Sequence, residues 1–145
     1  MLGVRERQSV DQSADYFNKL PEISVSGHPD SILIADEDRD VLNQLSQSFA
    51  LCAKQYNIYT AQTGRYALEV LKTSSVNILI AALNIPVMHD FELIDFAKYY
   101  YPATRIFVMS KEDPSTIKNR LDDLRICGYI RKPFRIEMIY SILRV

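Results

Sequence analysis

The chain has 145 residues, a net charge of −1, 48% hydrophobic residues and 24% charged residues. This length suffices for one domain with a full hydrophobic core and a short extension, and the composition is too apolar for a disordered chain. The near-neutral charge argues against a nucleic-acid or membrane surface that acts through bulk electrostatics. The N-terminus lacks the apolar core of a signal peptide and no apolar run is long enough to span a membrane, so we expect a soluble, cytoplasmic protein.

The first part of the chain is predicted to be a leader, residues 1–29, which is polar and closes with a turn-rich Ser-Gly-His-Pro sequence. Apolar residues at helical spacing indicate either a short amphipathic helix across roughly residues 9–20 or a loosely ordered segment. The remainder, residues 30–145, is predicted to form one domain.

In this domain, short apolar strands alternate with amphipathic helices. The predicted strands are 32–35, 57–61, 77–83, 105–109 and 129–131. The predicted helices are 39–55, a second after Thr63-Gly64, a third ended by Pro102, a fourth with Pro114 in its first turn, and a last from about residue 134 to the end. Strands that alternate with helices indicate βαβ units, so we predict an α/β fold with a doubly wound, five-stranded parallel sheet covered on both faces.

Polar residues follow several of the predicted strands. In a doubly wound sheet the site lies at the carboxyl ends of the strands, near the switch in strand order. The residues at these positions are Asp36, Glu37, Asp38, Ala82, Asn84, Ser110 and Lys132. Carboxylates suit Mg²⁺, a lysine neutralises them, and a serine hydroxyl can contact a phosphoryl oxygen, as phosphoryl transfer requires. Acidic residues also occur at solvated helix N-termini, where the helix dipole favours negative charge. Only the joint placement of the acids, the serine and the lysine at successive strand ends therefore indicates a phosphoryl site.

The strand at 77–83 ends without the carboxylate that would complete this acidic site. Ala82 stands at that position, and an alanine side chain cannot form an acyl phosphate. Its methyl group also cannot bind a metal, so we expect no cofactor beyond weak Mg²⁺ binding. With the third acid gone, Lys132 is predicted to pair with Asp36 or Glu37.

Five ordered motifs carry a resemblance to a known family over residues 31–145. They are Ile32-Leu33-Ile34-Ala35-Asp36-Glu37-Asp38, Thr60-Ala61-Gln62-Thr63-Gly64-Arg65-Tyr66-Ala67-Leu68, Leu83-Asn84-Ile85-Pro86-Val87-Met88, Val108-Met109-Ser110 and Tyr129-Ile130-Arg131-Lys132-Pro133-Phe134. In these motifs the chain resembles the receiver domain of bacterial two-component response regulators. The resemblance implies a CheY-like, flavodoxin-like sheet with strand order 2-1-3-4-5.

The resemblance also implies roles for the metal-site residues. Asp36 and Glu37 match the acidic pair that helps to bind Mg²⁺, and Asn84 matches the residue whose backbone carbonyl reaches the metal. Ala82 matches the phospho-accepting aspartate and is non-functional as an acceptor. The metal site is therefore expected to be weak or vestigial.

Three further residues match the switch of the family. Ser110 matches the hydroxyl residue that contacts the phosphoryl group, and Lys132 matches the lysine that pairs with it. Tyr129 matches the aromatic residue that swings inward on activation. If Tyr129 lies inward and Ser110 is drawn toward Ala82, the resemblance implies a permanently active shape.

The sequence thus predicts a degenerate receiver, or pseudo-receiver, that is not an enzyme and acts by phosphorylation-independent protein–protein interaction. Its expected partners are a sensor kinase or another signalling protein, and a second copy of the chain through residues 115–145, with neither direct nucleic-acid nor membrane binding. Two alternatives remain open. One is a phosphorelay receiver phosphorylated at a non-standard acid, Asp90 or Asp38, and the other is the regulatory domain of a longer transcription regulator.

Overall fold

The structure is a computed structural model, and it describes residues 29–83 and 91–143. The strands are β1 (Asp30–Ala35), β2 (Tyr56–Ala61), β3 (Ile78–Ala82), β4 (Arg105–Ser110) and β5 (Gly128–Arg131). The helices are α1 (Arg39–Ala50), α2 (Gly64–Thr73), α3 (Glu92–Tyr100), α4 (Lys118–Leu124) and α5 (Ile136–Leu143), with a short 3₁₀ helix at Pro114–Thr116. The predicted leader helix lies outside the described residues. Across the described ranges, none of the helices is both long and apolar enough to cross a lipid bilayer.

The five strands form one sheet in the order β2-β1-β3-β4-β5, and every neighbouring pair is parallel. This confirms the predicted doubly wound fold with strand order 2-1-3-4-5. Ala35 at the end of β1 pairs in register with Ala81 of β3, and Ala82 pairs with Met109 of β4. The carboxyl ends of the three central strands therefore lie side by side at one edge of the sheet.

The core consists of two apolar layers, one on each face of the sheet. In β3, Leu79 and Ala81 belong to the layer beneath α2, α3 and α4, whereas Ile78, Ile80 and Ala82 belong to the layer beneath α1 and α5. All five residues of β3 are buried, as expected for a central parallel strand covered on both faces. The alternation places Ala82 at the last position of the strand, on the α1 and α5 side.

Helix α1 ends at Ala50, whereas the apolar spacing had indicated a helix to residue 55. The N–H of Cys52 donates to the carbonyl of Phe49, which tightens the end of the helix into a turn. Lys54 then forms an ion pair with the start of β1 at 2.9 Å. The prediction was wrong here because apolar spacing continues into the turn that joins α1 to β2.

Helix α4 begins at Lys118, so the prediction that Pro114 lies in its first turn was wrong. Pro114 instead opens the short 3₁₀ helix, where the Asp113 carboxylate accepts hydrogen bonds from the N–H and hydroxyl of Ser115. These bonds hold the pKa of Asp113 below its ordinary value. Ile117, with φ −122° and ψ 18°, separates the two helices.

Candidate functional site

A pocket of about 170 Å³ lies at the carboxyl edge of the sheet. The residues that line it are Asp36, Glu37, Ala82, Leu83, Met109, Ser110, Lys111, Glu112 and Lys132. It brings together five of the seven residues that strand-end placement selects. Asp38 does not line it, and Asn84 lies outside the described residues.

Within the pocket, Lys132 forms an ion pair with Asp36. The Lys132 Nζ lies 2.5 Å from Asp36 Oδ2, and the side chains are 17% and 1% exposed. The other carboxylate oxygen, Oδ1, accepts a hydrogen bond from the N–H of Asp38 at 3.0 Å. Because a buried charge is costly unless it is paired and hydrogen-bonded, these two contacts compensate for the burial of the Asp36 carboxylate. The predicted pairing of Lys132 with one of two acids is confirmed for Asp36.

Backbone hydrogen bonds of the sheet position both of these residues at its carboxyl edge. The N–H of Asp36 donates to the carbonyl of Ala61 at 3.0 Å, which continues the β1–β2 ladder by one residue. The N–H of Lys132 donates to the carbonyl of Ser110 at 2.8 Å, which continues the β4–β5 ladder in the same way. Each charged residue therefore stands one position beyond its strand, on backbone that is still held by the sheet.

The other acids after β1 have different surroundings. Glu37 is exposed, and its backbone carbonyl accepts a hydrogen bond from Gln62 Nε2 at 3.1 Å. The Asp38 carboxylate caps α1 by accepting from the N–H of Asp40 at 2.9 Å. Among the residues that the structure describes, no group of three or more His, Cys, Asp or Glu side chains is placed to hold a metal ion. Asp36 and Glu37 line the pocket and are the acids predicted to bind a metal. One carboxylate oxygen of Asp36, Oδ2, already forms the ion pair with Lys132.

Ala82 forms part of the pocket wall between these charges. It is 8% exposed and packs in the apolar layer beneath α1 and α5, next to Met109 in register. Its side chain offers a methyl group and no polar atom at the end of β3. The position thus has the burial and strand-end placement of a site residue, without a group that can act as a nucleophile or bind a metal.

The loop that follows β4 is held from two sides. Ser110 is 6% exposed, and its Oγ accepts a hydrogen bond from the N–H of Glu112 at 3.1 Å. The Tyr129 hydroxyl donates to the carbonyl oxygen of the same Glu112 at 2.5 Å. Tyr129 is half-buried and packs against the apolar layer beneath α4. The tyrosine is therefore turned back onto the protein, over the loop that joins β4 to the 3₁₀ helix.

Replacement of Tyr129 by phenylalanine removes this hydroxyl while it keeps the ring. We expect the free energy of unfolding to fall by about 1 kcal/mol, the usual net contribution of one hydrogen bond. Amide hydrogen exchange at Glu112 and Asp113 should become faster, because the loop loses one of its two anchors. Tyr66→Phe is the matched control, since Tyr66 is 53% exposed. Equal exchange at Glu112 and Asp113 in both variants and the parent would show that the hydroxyl does not hold the loop.

Reasoning from the sequence alone missed the part that Glu112 plays. It contributes a backbone N–H and a backbone carbonyl, and its side-chain identity carries no signal for either. The shared N–H and carbonyl connect two residues, Ser110 and Tyr129, that sequence reasoning had selected separately. The site thus contains a connected group beside the Lys132–Asp36 pair.

Comparison with known proteins gives a consistent result. Residues 32–144 match the family model described as the response regulator receiver domain. The chain is 26% identical over 123 residues to the autoinducer 1 sensor kinase/phosphatase LuxN of Vibrio campbellii, a match that covers 85% of this chain and 14% of LuxN. It is also 26% identical over 117 residues to the transcriptional regulatory protein CrdR of Helicobacter pylori, covering 79% of this chain and 50% of CrdR. The chain therefore spans half or less of the length of these relatives.

Among solved structures, the chain is similar to the chemotaxis response regulator CheY4 of Vibrio cholerae. The TM-score is 0.73 at 24% sequence identity, and the match covers 81% of this chain and 98% of that chain. A likeness at this identity concerns the fold, and it agrees with the five-stranded order observed here.

Proposed function

Because this chain belongs to the response regulator receiver family, we propose that it is a degenerate receiver that signals in the cytoplasm without its own phosphorylation. Receiver domains are regulatory modules that interact with sensor kinases or other signalling proteins. The observation that carries the proposal is Ala82, which lies at the end of β3 in one pocket with Asp36, Ser110 and Lys132. We therefore propose that a methyl group occupies the phosphoacceptor position, while Asp36, Ser110 and Lys132 of the site remain.

Phosphoryl chemistry at this site needs a nucleophile, a divalent cation and donors for the phosphoryl oxygens. Ser110 and Lys132 are the donors, and Asp36, Glu37 and Asn84 are the proposed remnants of the metal site. Ala82 can supply neither the attacking oxygen nor a ligand. With Lys132 at 2.5 Å from Asp36, the charge of the buried acid is balanced within the chain and does not depend on a bound cation.

The hydrogen bonds of the loop after β4 support a switch that is held in one arrangement. In the family that this chain resembles, the aromatic residue at the position of Tyr129 swings inward on activation. Here the Tyr129 hydroxyl bonds to Glu112, and Ser110 bonds to the same residue while it lines the pocket with Ala82. We propose that these contacts hold the switch in place without a phosphoryl group.

Titration of the full chain with beryllium fluoride, a phosphomimetic, in the presence of Mg²⁺ tests this proposal. We expect the amide chemical shifts of Ser110, Glu112 and Tyr129 to stay unchanged, because the reagent needs an acceptor carboxylate at position 82. The Ala82→Asp variant is the positive control and should show shifts at the same three amides. Saturable shifts of equal size in the parent chain would contradict the proposal.

The surface proposed for a partner or a second copy lies within residues 115–145. Its charges form exposed pairs within the chain, including Lys118–Asp122 at 2.8 Å and Arg120–Asp95 at 2.6 Å. Exposed pairs of this kind contribute little to stability, so they can exchange for cross-subunit pairs at small cost. We therefore expect self-association of the full chain that weakens as salt rises. Sedimentation equilibrium at low and high salt measures it, and a monomer under all conditions would contradict the dimer.

Phosphorelay through a non-standard acid gains no support from the described residues. The Asp38 carboxylate already caps α1, and it does not line the pocket. Asp90 lies outside the described residues. A role as the regulatory domain of a longer transcription regulator remains compatible with the contact-based function proposed here.

A further inference from the structure

A second and larger pocket, here called the basal pocket, lies at the amino edge of the sheet. Its volume is about 620 Å³, the size of many small-molecule sites. The residues that line it are Asp30, Cys52, Ala53, Lys54, Tyr56, Ile78, Arg105, Tyr140 and Leu143. They come from the first residues of β1, β2, β3 and β4, from the turn after α1 and from α5. The basal pocket is therefore at the opposite end of the strands from Ala82.

The walls of the basal pocket combine aliphatic and aromatic side chains in fixed positions. Ile78 and Leu143 are each 3% exposed. The rings of Tyr56 and Tyr140 both meet the buried ring of Phe49 edge to face, with centroids 5.8 Å and 6.3 Å away. The Tyr140 hydroxyl donates to the carbonyl of Ser48 at 2.7 Å, which fixes this ring on α1. Preformed apolar walls of this kind suit a flat, rigid molecule.

Of the two cations among the described residues that line the basal pocket, one lies in an ion pair and the other does not. Lys54 is paired with Asp30 at 2.9 Å. Arg105, the first residue of β4, stacks its guanidinium 5.4 Å from the ring centroid of Phe107. No carboxylate of residues 29–83 or 91–143 forms an ion pair with it. Within these described ranges, the basal pocket thus presents a guanidinium without an ion-pair partner beside apolar walls, together with the Tyr56 hydroxyl, whose pKa is raised by burial.

We propose that the basal pocket binds a small amphipathic anion with a flat aromatic body and one carboxylate. The aromatic body would lie against the Tyr56 and Tyr140 walls, and the carboxylate would pair with Arg105, whose planar fork matches its two oxygens. A single carboxylate fits because Arg105 is, among the described lining residues, the one cation outside an ion pair, and Asp30 stays nearby. This proposal concerns the end of the sheet remote from Ala82, so it does not depend on the absence of phosphorylation.

Naphthoate is the probe, and the neutral naphthalenemethanol is its uncharged counterpart. Both are titrated into the full chain while the backbone amide chemical shifts are recorded. We expect saturable shifts centred on Lys54, Tyr56 and Arg105, with tighter binding of naphthoate than of the alcohol. Arg105→Gln should weaken naphthoate binding about tenfold and leave the alcohol unaffected, since it removes one charge-assisted hydrogen-bonding group.

Two further variants separate this site from general surface binding. Ala53→Phe fills the pocket from its exposed rim and should abolish binding of both probes. Lys118→Gln removes a cation on α4 that is 69% exposed, and it should change neither affinity. The proposal is wrong if no saturable shifts appear, if the shifts centre on the Asp36 pocket, or if Arg105→Gln and Lys118→Gln act alike. It is also wrong if the amides of the basal pocket shift with protein concentration alone, because a second copy would then occupy it.

Discussion

Replacement of Lys132 by methionine is expected to lower the free energy of unfolding by about 3 kcal/mol or more, the usual cost of leaving a buried charge without its partner. Asp36 is 1% exposed and its Oδ2 lies 2.5 Å from the Lys132 Nζ. Methionine keeps the length and apolar character of the lysine stem but removes the ammonium group. The single hydrogen bond from Asp38 to Oδ1 would remain, and it does not balance the charge. Urea denaturation of parent and variant measures the difference.

The double variant Asp36→Asn/Lys132→Met provides the sharper comparison. It removes both charges and leaves no uncompensated ion, so we expect it to recover most of the stability that Lys132→Met alone loses. Lys118→Met is the matched control for loss of an exposed lysine, and its effect should be close to zero, since Lys118 is 69% exposed. If Lys132→Met were no more harmful than Lys118→Met, the pair would not hold the buried acid in place.

Conversion of Ala82 to aspartate is expected to create a chain that accepts a phosphoryl group from acetyl phosphate in the presence of Mg²⁺. The new carboxylate would end β3 in the pocket that already holds Asp36, Ser110 and Lys132. It would supply the nucleophile and one further metal ligand, the two functions that the methyl group lacks. Intact mass after incubation measures the product, which should gain the mass of one phosphoryl group.

Ala82→Asn is the matched control, because asparagine has nearly the shape of aspartate but lacks the nucleophilic carboxylate. It should remain unmodified under the same conditions. A folded Ala82→Asp chain that also remained unmodified would contradict the view that this one residue separates the chain from a working receiver. Far-ultraviolet circular dichroism shows whether the variant is folded.

The architecture was predictable because its signals are local. β1 and β4 are short apolar runs that lead directly into polar residues, Asp36 and Ser110, whereas the apolar run of β3 continues through Ala82 to Leu83. The placement of Asp36 and Lys132 at strand ends also followed from sequence, since a parallel sheet brings its carboxyl ends together. The choice between Asp36 and Glu37 did not follow. It depends on which acid continues the sheet ladder into the buried edge, and Asp36 does so through its bond to Ala61.

Other parts of the structure have no comparable signal in the sequence. The bond from Tyr129 to Glu112 ends on a backbone oxygen, which any residue would offer. Asp113 caps the short 3₁₀ helix at Pro114–Thr116, and the non-helical conformation of Ile117 delays the start of α4 to Lys118. Apolar spacing in the sequence does not predict this boundary. The basal pocket gathers residues from the starts of four strands that are far apart in the chain. Such features arise from tertiary packing and become visible only in the fold.

We propose that this receiver acts without phosphorylation because Ala82 replaces its acceptor. The most direct test of this proposal is the intact mass of the full parent chain after incubation with acetyl phosphate and Mg²⁺, with Ala82→Asp treated in parallel. We expect an unchanged mass for the parent chain. A stable gain of one phosphoryl group on the parent chain, mapped by peptide analysis to Asp38, Asp90 or another residue, would contradict it.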